Sequence, residues 1–163
     1  MKLVIIRGVP GTGKTIVSEI LGKMFFDSEI ICVDKFKLQA MKENSFEEAQ
    51  KIAYEKTLEK LHILYEQNKR DVVLEELVCD KDFYEELRNF IIKTNSSVNW
   101  FRLLRPLDKL LEIESDRKRK IKNSKEDFDN LKKNIESIKI PNEIWIKNND
   151  LALTVKRILD VVC

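Results

Sequence analysis

One eight-residue segment near the amino terminus carries the strongest chemical signal in this sequence. Residues 8–15 match the pattern G-x-x-x-x-G-K-[ST], between a short β-branched run and a stretch with apolar residues at helical spacing. Glycines let main-chain N–H groups turn inward, and the helix that follows adds its unpaired donors and the positive end of its dipole. We therefore predict a P-loop that binds the phosphates of ATP, with GTP as an alternative. The residues of this site are Gly8, Val9, Pro10, Gly11, Thr12, Gly13, Lys14 and Thr15.

Two side chains of the loop have distinct expected roles. Lys14 is expected to reach the β- and γ-phosphates and to act in catalysis, while the Thr15 hydroxyl is expected to bind Mg²⁺. Magnesium usually needs a carboxylate at the end of a neighbouring strand. Glu75 ends the buried run 72–74 in the position of such an acid, and the adjacent Glu76 is the alternative. A strand end with no metal remains the competing interpretation of both acids.

Asp34 is the candidate for the acceptor side of the reaction. It follows the apolar run 29–33 and opens a polar connection, at the sheet edge where open α/β folds bind ligands. Phosphoryl transfer to a hydroxyl needs a group that takes the alcohol proton and aligns the oxygen, and a carboxylate does both. Asp34 is therefore predicted to be the general base. The alternative is an aspartate that only caps a helix or ends a strand.

Strands alternating with helices must position these residues. The length of 163 residues suits one domain, and right-handed crossovers connect parallel neighbours. The pattern predicts a three-layer α/β sandwich with a five-stranded parallel sheet and a helical lid. The predicted strands are 2–7, 29–33, 72–75, 98–104 and 144–146; the predicted helices are 14–25, 45–67, 82–92 and 151–162; the lid is a mobile, highly charged hairpin at about 108–137.

Composition limits the possible partners and locations. The chain has 30 basic and 28 acidic residues and a formal net charge of +2, so no strong field for nucleic acid or a membrane is expected. The first apolar run is too short for a signal peptide or a membrane span. We therefore expect a cytoplasmic protein with no membrane partner.

Taken together, these motifs resemble a family of kinases. Residues 8–15, the segment Ile31-Cys32-Val33-Asp34-Lys35-Phe36, a long helix with Ala53-Tyr54, and Val72-Val73-Leu74-Glu75 resemble the group around polynucleotide 5′-hydroxyl kinase, zeta toxin and chloramphenicol phosphotransferase. The resemblance covers nearly the whole chain and implies a nucleotide-kinase-like P-loop fold. It also implies that Asp34 is the general base. The family's third strand usually ends in aspartate, and this chain has Glu75 there.

The same resemblance implies arginines in the lid that clamp the transferring phosphate, typically spaced R-x-x-x-R. The lid contains Arg117 and Arg119, and the first expected arginine is replaced near Glu112 or Ile113. The clamp therefore falls to Arg117 or Arg119; we take Arg117 as the catalytic candidate and Arg119 as the nucleotide-binding candidate, whereas a charge run of this kind is also typical of a solvated helix face. Planar guanidinium groups suit the task better than the flanking lysines.

Three functions are compatible with these features. The first is an ATP-dependent kinase that phosphorylates a hydroxyl of a small molecule or of a nucleic-acid end. The second is an AAA-like ATPase, because residues 9–15 also match the P-loop of such motors and residues 73–76 faintly resemble their Walker B segment. Against it, we expect no C-terminal helical domain after the last helix. The third is a nucleotide-regulated binding module without phosphotransfer.

Overall fold

A five-stranded parallel sheet forms the centre of the computed structural model, which describes residues 1–118 and 122–163. The strand order is β2-β3-β1-β4-β5. The strands are β1 Lys2–Arg7, β2 Ser28–Cys32, β3 Asp71–Glu75, β4 Ser97–Leu104 and β5 Ile144–Lys147. The helices of the described part are α1 Lys14–Met24, α2 Val33–Ala40, α3 Phe46–Glu66, α4 Lys81–Thr94, α5 Leu107–Asp116, α6 Lys125–Ser137 and α7 Leu151–Val162. The predicted fold class is confirmed.

Strand β1 shows how helices come to cover both faces of the sheet. Its side chains alternate, so Leu3 and Ile5 point to one face and Val4 and Ile6 to the other. The first pair packs with apolar residues of α3 and α4, and the second pair with α1 and α7. All four side chains are fully buried. The central strand is thus enclosed on both faces, as expected for a parallel sheet.

The sequence patterns at residues 45–48 and 124–127 are typical of capping boxes, and the structure has a capped helix start at each. The Ser45 hydroxyl accepts a hydrogen bond from the Glu48 amide, and Glu48 accepts one from the Ser45 amide in return. Ser124 and Asp127 form the same reciprocal pair at the start of α6. These caps satisfy N–H groups that a helix leaves unpaired.

The prediction for the segment after the second strand is wrong. Strand β2 ends at Cys32, and the expected polar connection is instead α2, which begins at Val33 and contains Asp34 in its first turn. Val33 is fully buried and anchors the helix to the core. The Asp34 carboxylate lies at the favourable end of the helix dipole, and Lys37 pairs with it one turn later at 3.0 Å.

The described part of the segment predicted to be a lid hairpin forms α5 and α6, and a buried arginine fastens the end of α6 to the sheet. Arg7 is fully buried and donates from Nη2 to the carbonyl of Ile135 at 2.9 Å and from Nη1 to Glu143 Oε1 at 3.0 Å. Burial lowers the pKa of Arg7, and the Glu143 carboxylate opposes that shift. Phe128 of α6 also packs in a small apolar cluster with Val9 of the loop after β1. The hairpin therefore lies directly on this loop.

No helix in the part of the chain that the structure describes is both long and apolar enough to cross a membrane.

Candidate active site

The loop between β1 and α1 has the backbone geometry of a phosphate cradle. Gly11 and Gly13 have φ angles of +87° and +90°, in the region that favours glycine. A Cβ atom on Gly13 would lie 2.5 Å from Nδ2 of Asn148. Gly13 therefore has to be glycine both for its backbone conformation and for space.

Lys14 and Thr15 begin α1 and face the same edge of the sheet. The Lys14 ammonium donates to the Gly8 carbonyl at 2.8 Å, so its side chain folds back over the loop. The Thr15 hydroxyl donates to Oε1 of Glu75 at 2.7 Å. A hydroxyl and a carboxylate in contact beside a phosphate cradle are oxygen donors of the kind that Mg²⁺ prefers. These two residues fit a magnesium site.

The sheet register explains how Glu75 comes to lie beside the loop. Glu75 pairs with Ile6 of β1 on one side and with Cys32 of β2 on the other. Its side chain is 5% exposed. Burial first, and then the charge of Glu75, raise the pKa of the Cys32 thiol to about 11. Cys32 therefore stays protonated at neutral pH and adds no negative charge.

Glu76 differs from Glu75 although the two residues are adjacent and equally buried. Burial raises the pKa of Glu76 to about 7, and the nearby charge of Asp34 acts in the same direction. Lys14 and Lys37 oppose this shift. Of the two acids, Glu75 is the one hydrogen-bonded to Thr15, whereas Glu76 lies among groups from both the phosphate side and the Asp34 side.

Asp34 is placed at the carboxyl end of β2, as the sequence predicted, although it is part of a helix. Its side chain is 58% exposed and pairs with Lys37. Its carboxylate is therefore open to solvent at the edge that also carries Glu75 and the phosphate loop. The carboxyl ends of β2, β3 and β1 are neighbours in the sheet.

Two residues that support the phosphate loop were missed by sequence reasoning. Arg105 donates from Nη1 to the Gly11 carbonyl at 3.0 Å and from Nε and Nη2 to the Asn148 carbonyl at 3.2 and 3.0 Å. Asn148 donates from Nδ2 to the Thr12 carbonyl at 2.7 Å and accepts from Thr154. Their position in the sequence could have identified them, because each residue directly follows a strand and both strands end at the same edge of the sheet.

Of the two arginines predicted to act from the lid, the structure describes Arg117. Arg117 ends α5 and pairs with the buried Glu114 at 3.3 Å, with 35% of its side chain exposed. It lies one turn after Ile113, whose side chain would be 3.7 Å from a Cβ atom on Gly11, so α5 passes over the phosphate loop just before Arg117. Arg119 lies outside the described residues.

Comparison with known sequences gives one family. A family model described as an AAA domain (AAA_18) matches residues 4–129, about three quarters of the chain. The match includes the phosphate loop, Glu75 at the end of β3 with the adjacent Glu76, and most of the segment predicted as a lid. No curated protein sequence matches the chain.

Solved structures with the same fold are similar over nearly the whole chain. The tunicamycin resistance protein of Deinococcus radiodurans has a TM-score of 0.73 and 16% identity, with 99% of this chain and 95% of that chain covered. A gluconokinase from Sinorhizobium meliloti 1021 has a TM-score of 0.67 and 16% identity, covering 98% and 90%. Thymidylate kinase from Candida albicans has a TM-score of 0.66 and 12% identity, covering 99% and 90%. The expected P-loop kinase fold is confirmed.

Proposed function

Because this chain belongs to the AAA_18 family of AAA domains and has the fold of a P-loop kinase, we propose that it is an ATP-dependent phosphotransferase. It transfers the γ-phosphoryl group of ATP to a hydroxyl group of an acceptor. Family and fold alone do not decide the reaction, since one fold can host many functions. The proposal therefore rests on the geometry of the site.

The observation that carries the proposal is the register of three adjacent strands. Glu75 of β3 lies between Ile6 of β1 and Cys32 of β2. The phosphate loop begins two residues after Ile6, and Asp34 lies two residues after Cys32. A phosphate cradle, a carboxylate beside it and an exposed carboxylate beyond it are thus placed in a row along one edge of the sheet. This order suits transfer from a nucleotide to an acceptor hydroxyl, because the base lies on the side away from the phosphate cradle.

On the phosphate side, catalysis depends on positive charge that is already in place. The loop amides and the N-terminus of α1 bind the phosphate oxygens, and the Lys14 ammonium, now on the Gly8 carbonyl, turns to the β- and γ-phosphates. These groups stabilise the charge that develops on the transferring phosphoryl group. Arg117 is proposed to add a second cation from the lid, and Arg119 to contact the bound nucleotide.

Thr15 and Glu75 are proposed to hold Mg²⁺. The proposal is supported by their hydrogen bond of 2.7 Å, since a hydroxyl oxygen and a carboxylate oxygen lie side by side next to the loop. When bound, the ion neutralises charge on the β- and γ-phosphates. The buried position of Glu75 excludes water from one side of this pair.

Asp34 is proposed to take the proton of the acceptor hydroxyl. The acceptor oxygen forms a new bond to the γ-phosphorus, the bond from that phosphorus to the β–γ bridging oxygen breaks, and ADP leaves with the electron pair. The hydroxyl proton goes to the Asp34 carboxylate. Lys37 keeps this carboxylate oriented through its ion pair at 3.0 Å.

The proposal is tested by an acceptor screen. The full chain is incubated with magnesium and γ-³²P-labelled ATP, and acceptor-dependent ADP release is measured together with the transfer of label to the acceptor. The panel contains sugars, amino sugars, nucleosides and oligonucleotides with a 5′-hydroxyl end. We expect both signals with at least one class of acceptor. Hydrolysis that no alcohol accelerates, with no labelled product, would overturn the proposal.

A second candidate is an ATPase that transfers no phosphate, and the description of the family as an AAA domain favours it. This candidate predicts ATP hydrolysis independent of any alcohol and assembly into rings when nucleotide is present. Light scattering with and without ATP measures the assembly. An unchanged monomer mass with nucleotide would exclude the ring, whereas a ring-sized mass would favour this candidate over the kinase.

A further inference from the structure

A cleft between the first halves of α3 and α4 is a second recognisable site in this protein. Its volume is about 370 Å³, within the range of small-molecule sites. Residues 46–55 form one wall, and residues 80–86 form the other. None of the residues assigned above to ATP or magnesium lines this cleft.

The rim of the cleft is connected to the proposed general base. The Lys37 ammonium lies 3.0 Å from Oδ1 of Asp34 and 5.2 Å from the centre of the Phe46 ring. Phe46 lines the cleft and is 60% exposed. At the floor, burial first and then the charges of Glu76, Cys79, Asp80 and Asp34 raise the pKa of Tyr54. Lys37 thus links the rim of the cleft to Asp34.

The charge of the lining is strongly one-sided although the whole chain is nearly neutral. Lys51 is the basic side chain of the lining, and the Lys37 ammonium lies at the rim beside Phe46. Five acidic side chains line the cleft; they are Glu47, Glu55, Asp80, Asp82 and Glu86. Asp80 also caps α4 by accepting from the Phe83 amide at 2.8 Å, which leaves its negative charge in place. The overall charge of +2 gives no sign of this local field.

Two further features of the cleft indicate a ligand. Tyr54 and Phe83 form a buried stacked pair, with ring centres 4.1 Å apart, while the exposed Phe46 ring of the lining is open to a ligand, and aromatic faces attract cations. The amide nitrogen Nε2 of Gln50, in the same lining, is buried and has no hydrogen-bond partner. Buried polar groups are normally paired. A hydroxyl oxygen of a bound molecule would supply the partner.

We propose that this cleft binds the phosphoryl acceptor and that the acceptor is a small, amine-bearing alcohol, such as an amino sugar or a linked set of amino sugars. This assignment rests on the phosphotransferase function proposed above. The ammonium groups of the acceptor face the acidic lining, its ring packs against the exposed Phe46, and one hydroxyl is presented to Asp34.

The same charges disfavour the anionic acceptors that the kinase fold also allows. A nucleotide or a nucleic-acid end would bring phosphates beside five carboxylates, and like charges at close range repel. Binding to nucleic acid needs clustered cations, and the cations here are Lys51 in the lining and Lys37 at the rim, against five carboxylates. The cleft thus selects against polyanions, whereas the phosphate loop attracts them.

The test compares ligands of similar size and different charge. Binding to the full chain is measured by calorimetry with magnesium and a non-hydrolysable ATP analogue, so that no transfer is needed for a signal. The pairs are glucosamine with glucose, and kanamycin with the neutral trisaccharide raffinose. Glucose 6-phosphate and a 5′-hydroxyl trinucleotide represent anions. We expect each amine to bind more tightly than its neutral partner, the anions to bind most weakly, and added NaCl to weaken amine binding.

A matched pair of double variants links the preference to the cleft. Glu55→Gln with Glu86→Gln removes one exposed acid from each wall, and we expect about tenfold weaker amine binding with unchanged affinity for the ATP analogue. The control, Glu59→Gln with Glu66→Gln, removes two exposed acids of α3 that do not line the cleft and should leave both affinities unchanged. Circular dichroism checks that both double variants are folded.

The outcomes separate this assignment from the proposed reaction. In one outcome, amines bind with the expected preference and yet receive no phosphate. This result would support the cleft as a binding site for amines and would contradict amines as the phosphoryl acceptor. Efficient transfer to a neutral or anionic alcohol, unaffected by the Glu55 and Glu86 substitutions, would support the kinase and overturn the cleft assignment. Equal binding within both ligand pairs, or equal weakening by both double variants, would also overturn it.

Discussion

The phosphate side and the acceptor side of this site are built in different ways. The phosphate loop is held by main-chain carbonyls of Gly11 and Thr12, which accept hydrogen bonds from Arg105 and Asn148. The proposed acceptor cleft is lined by side chains on two helix surfaces, among them the exposed Phe46, and leaves the Gln50 amide nitrogen unpaired. Under the proposed function, a backbone cradle binds the phosphates that all nucleoside triphosphates share, whereas helix side chains select the acceptor. The following substitutions test this division.

The largest effect is expected for Lys14→Ala, because Lys14 provides charge for the transferring phosphate. We expect about 100-fold to 1,000-fold lower kcat/KM and clearly weaker ATP binding by calorimetry. Lys23→Ala, at the exposed end of the same helix, should behave like the parent. A Lys14→Ala variant with parental affinity and turnover would refute the phosphate site.

Asp34→Asn should lower the rate of phosphoryl transfer without weakening the binding of ATP. Transfer should fall by about two orders of magnitude or more, since a general base contributes a factor of this size, while the affinity for ATP stays nearly unchanged. Steady-state transfer and ATP calorimetry measure the two effects. Asp160→Asn, an exposed substitution on α7, is the control. An equal loss of ATP binding would show that Asp34 belongs to the phosphate side.

Because the pKa of Glu76 is raised, we expect the free energy of unfolding to depend on pH in metal-free buffer. Its pKa is raised from an ordinary 4.5 to about 7, so between these pH values the folded protein keeps a proton that the unfolded chain releases. The contribution of Glu76 to stability is therefore full below about pH 4.5 and is lost as the pH rises through about 7, by an amount on the order of a few kcal/mol. Urea unfolding with EDTA at pH 5 and pH 7.5 measures this loss.

The same unfolding measurement on Glu76→Gln tests the cause of the pH dependence. Glutamine cannot release a proton, so the variant should lose less stability than the parent between the two pH values. Glu59→Gln, an exposed substitution, should keep the parental dependence. If the loss in Glu76→Gln equals that in the parent, Glu76 does not carry the pH effect.

Glu75→Gln tests which of the two adjacent acids serves the metal. We expect the Mg²⁺ concentration for half-maximal transfer to rise by about tenfold or more, because Glu75 contacts Thr15. Glu76→Gln should shift this concentration much less. A titration of transfer rate against Mg²⁺ distinguishes the two acids, and the reverse order would assign the metal to Glu76.

The smallest effect is expected for Arg105→Ala, because Arg105 supports the loop without contacting the nucleotide. Loss of its bonds to the Gly11 and Asn148 carbonyls should raise the KM for ATP several-fold, to about tenfold, and lower the Tm by a few degrees. The KM for the acceptor should not change. Arg88→Ala, on the exposed face of α4, provides the control, and an acceptor-specific defect in Arg105→Ala would contradict the supporting role.

Local patterns in the sequence determined the phosphate loop, the alternation of elements and the helix caps. The glycine spacing of residues 8–15 and the Ser45–Glu48 capping pair act within a few residues of the chain, so their structure follows from neighbours in sequence. The same holds for the apolar runs of β1 and β3. The helix at Asp34 was missed because Val33 ends an apolar run and yet begins a helix, and its burial in the core decides between the two.

Only the tertiary structure decided which distant residues meet. The strand order brings Glu75 next to Thr15, 60 residues away, and brings Asn148 onto the Thr12 carbonyl, 136 residues away. The acidic cleft lies between α3 and α4, and its local negative charge does not show in the nearly neutral composition of the whole chain. Such contacts depend on the pairing of strands and the packing of helices, which no short segment specifies, because their stabilising energy arises only when both partners are in place.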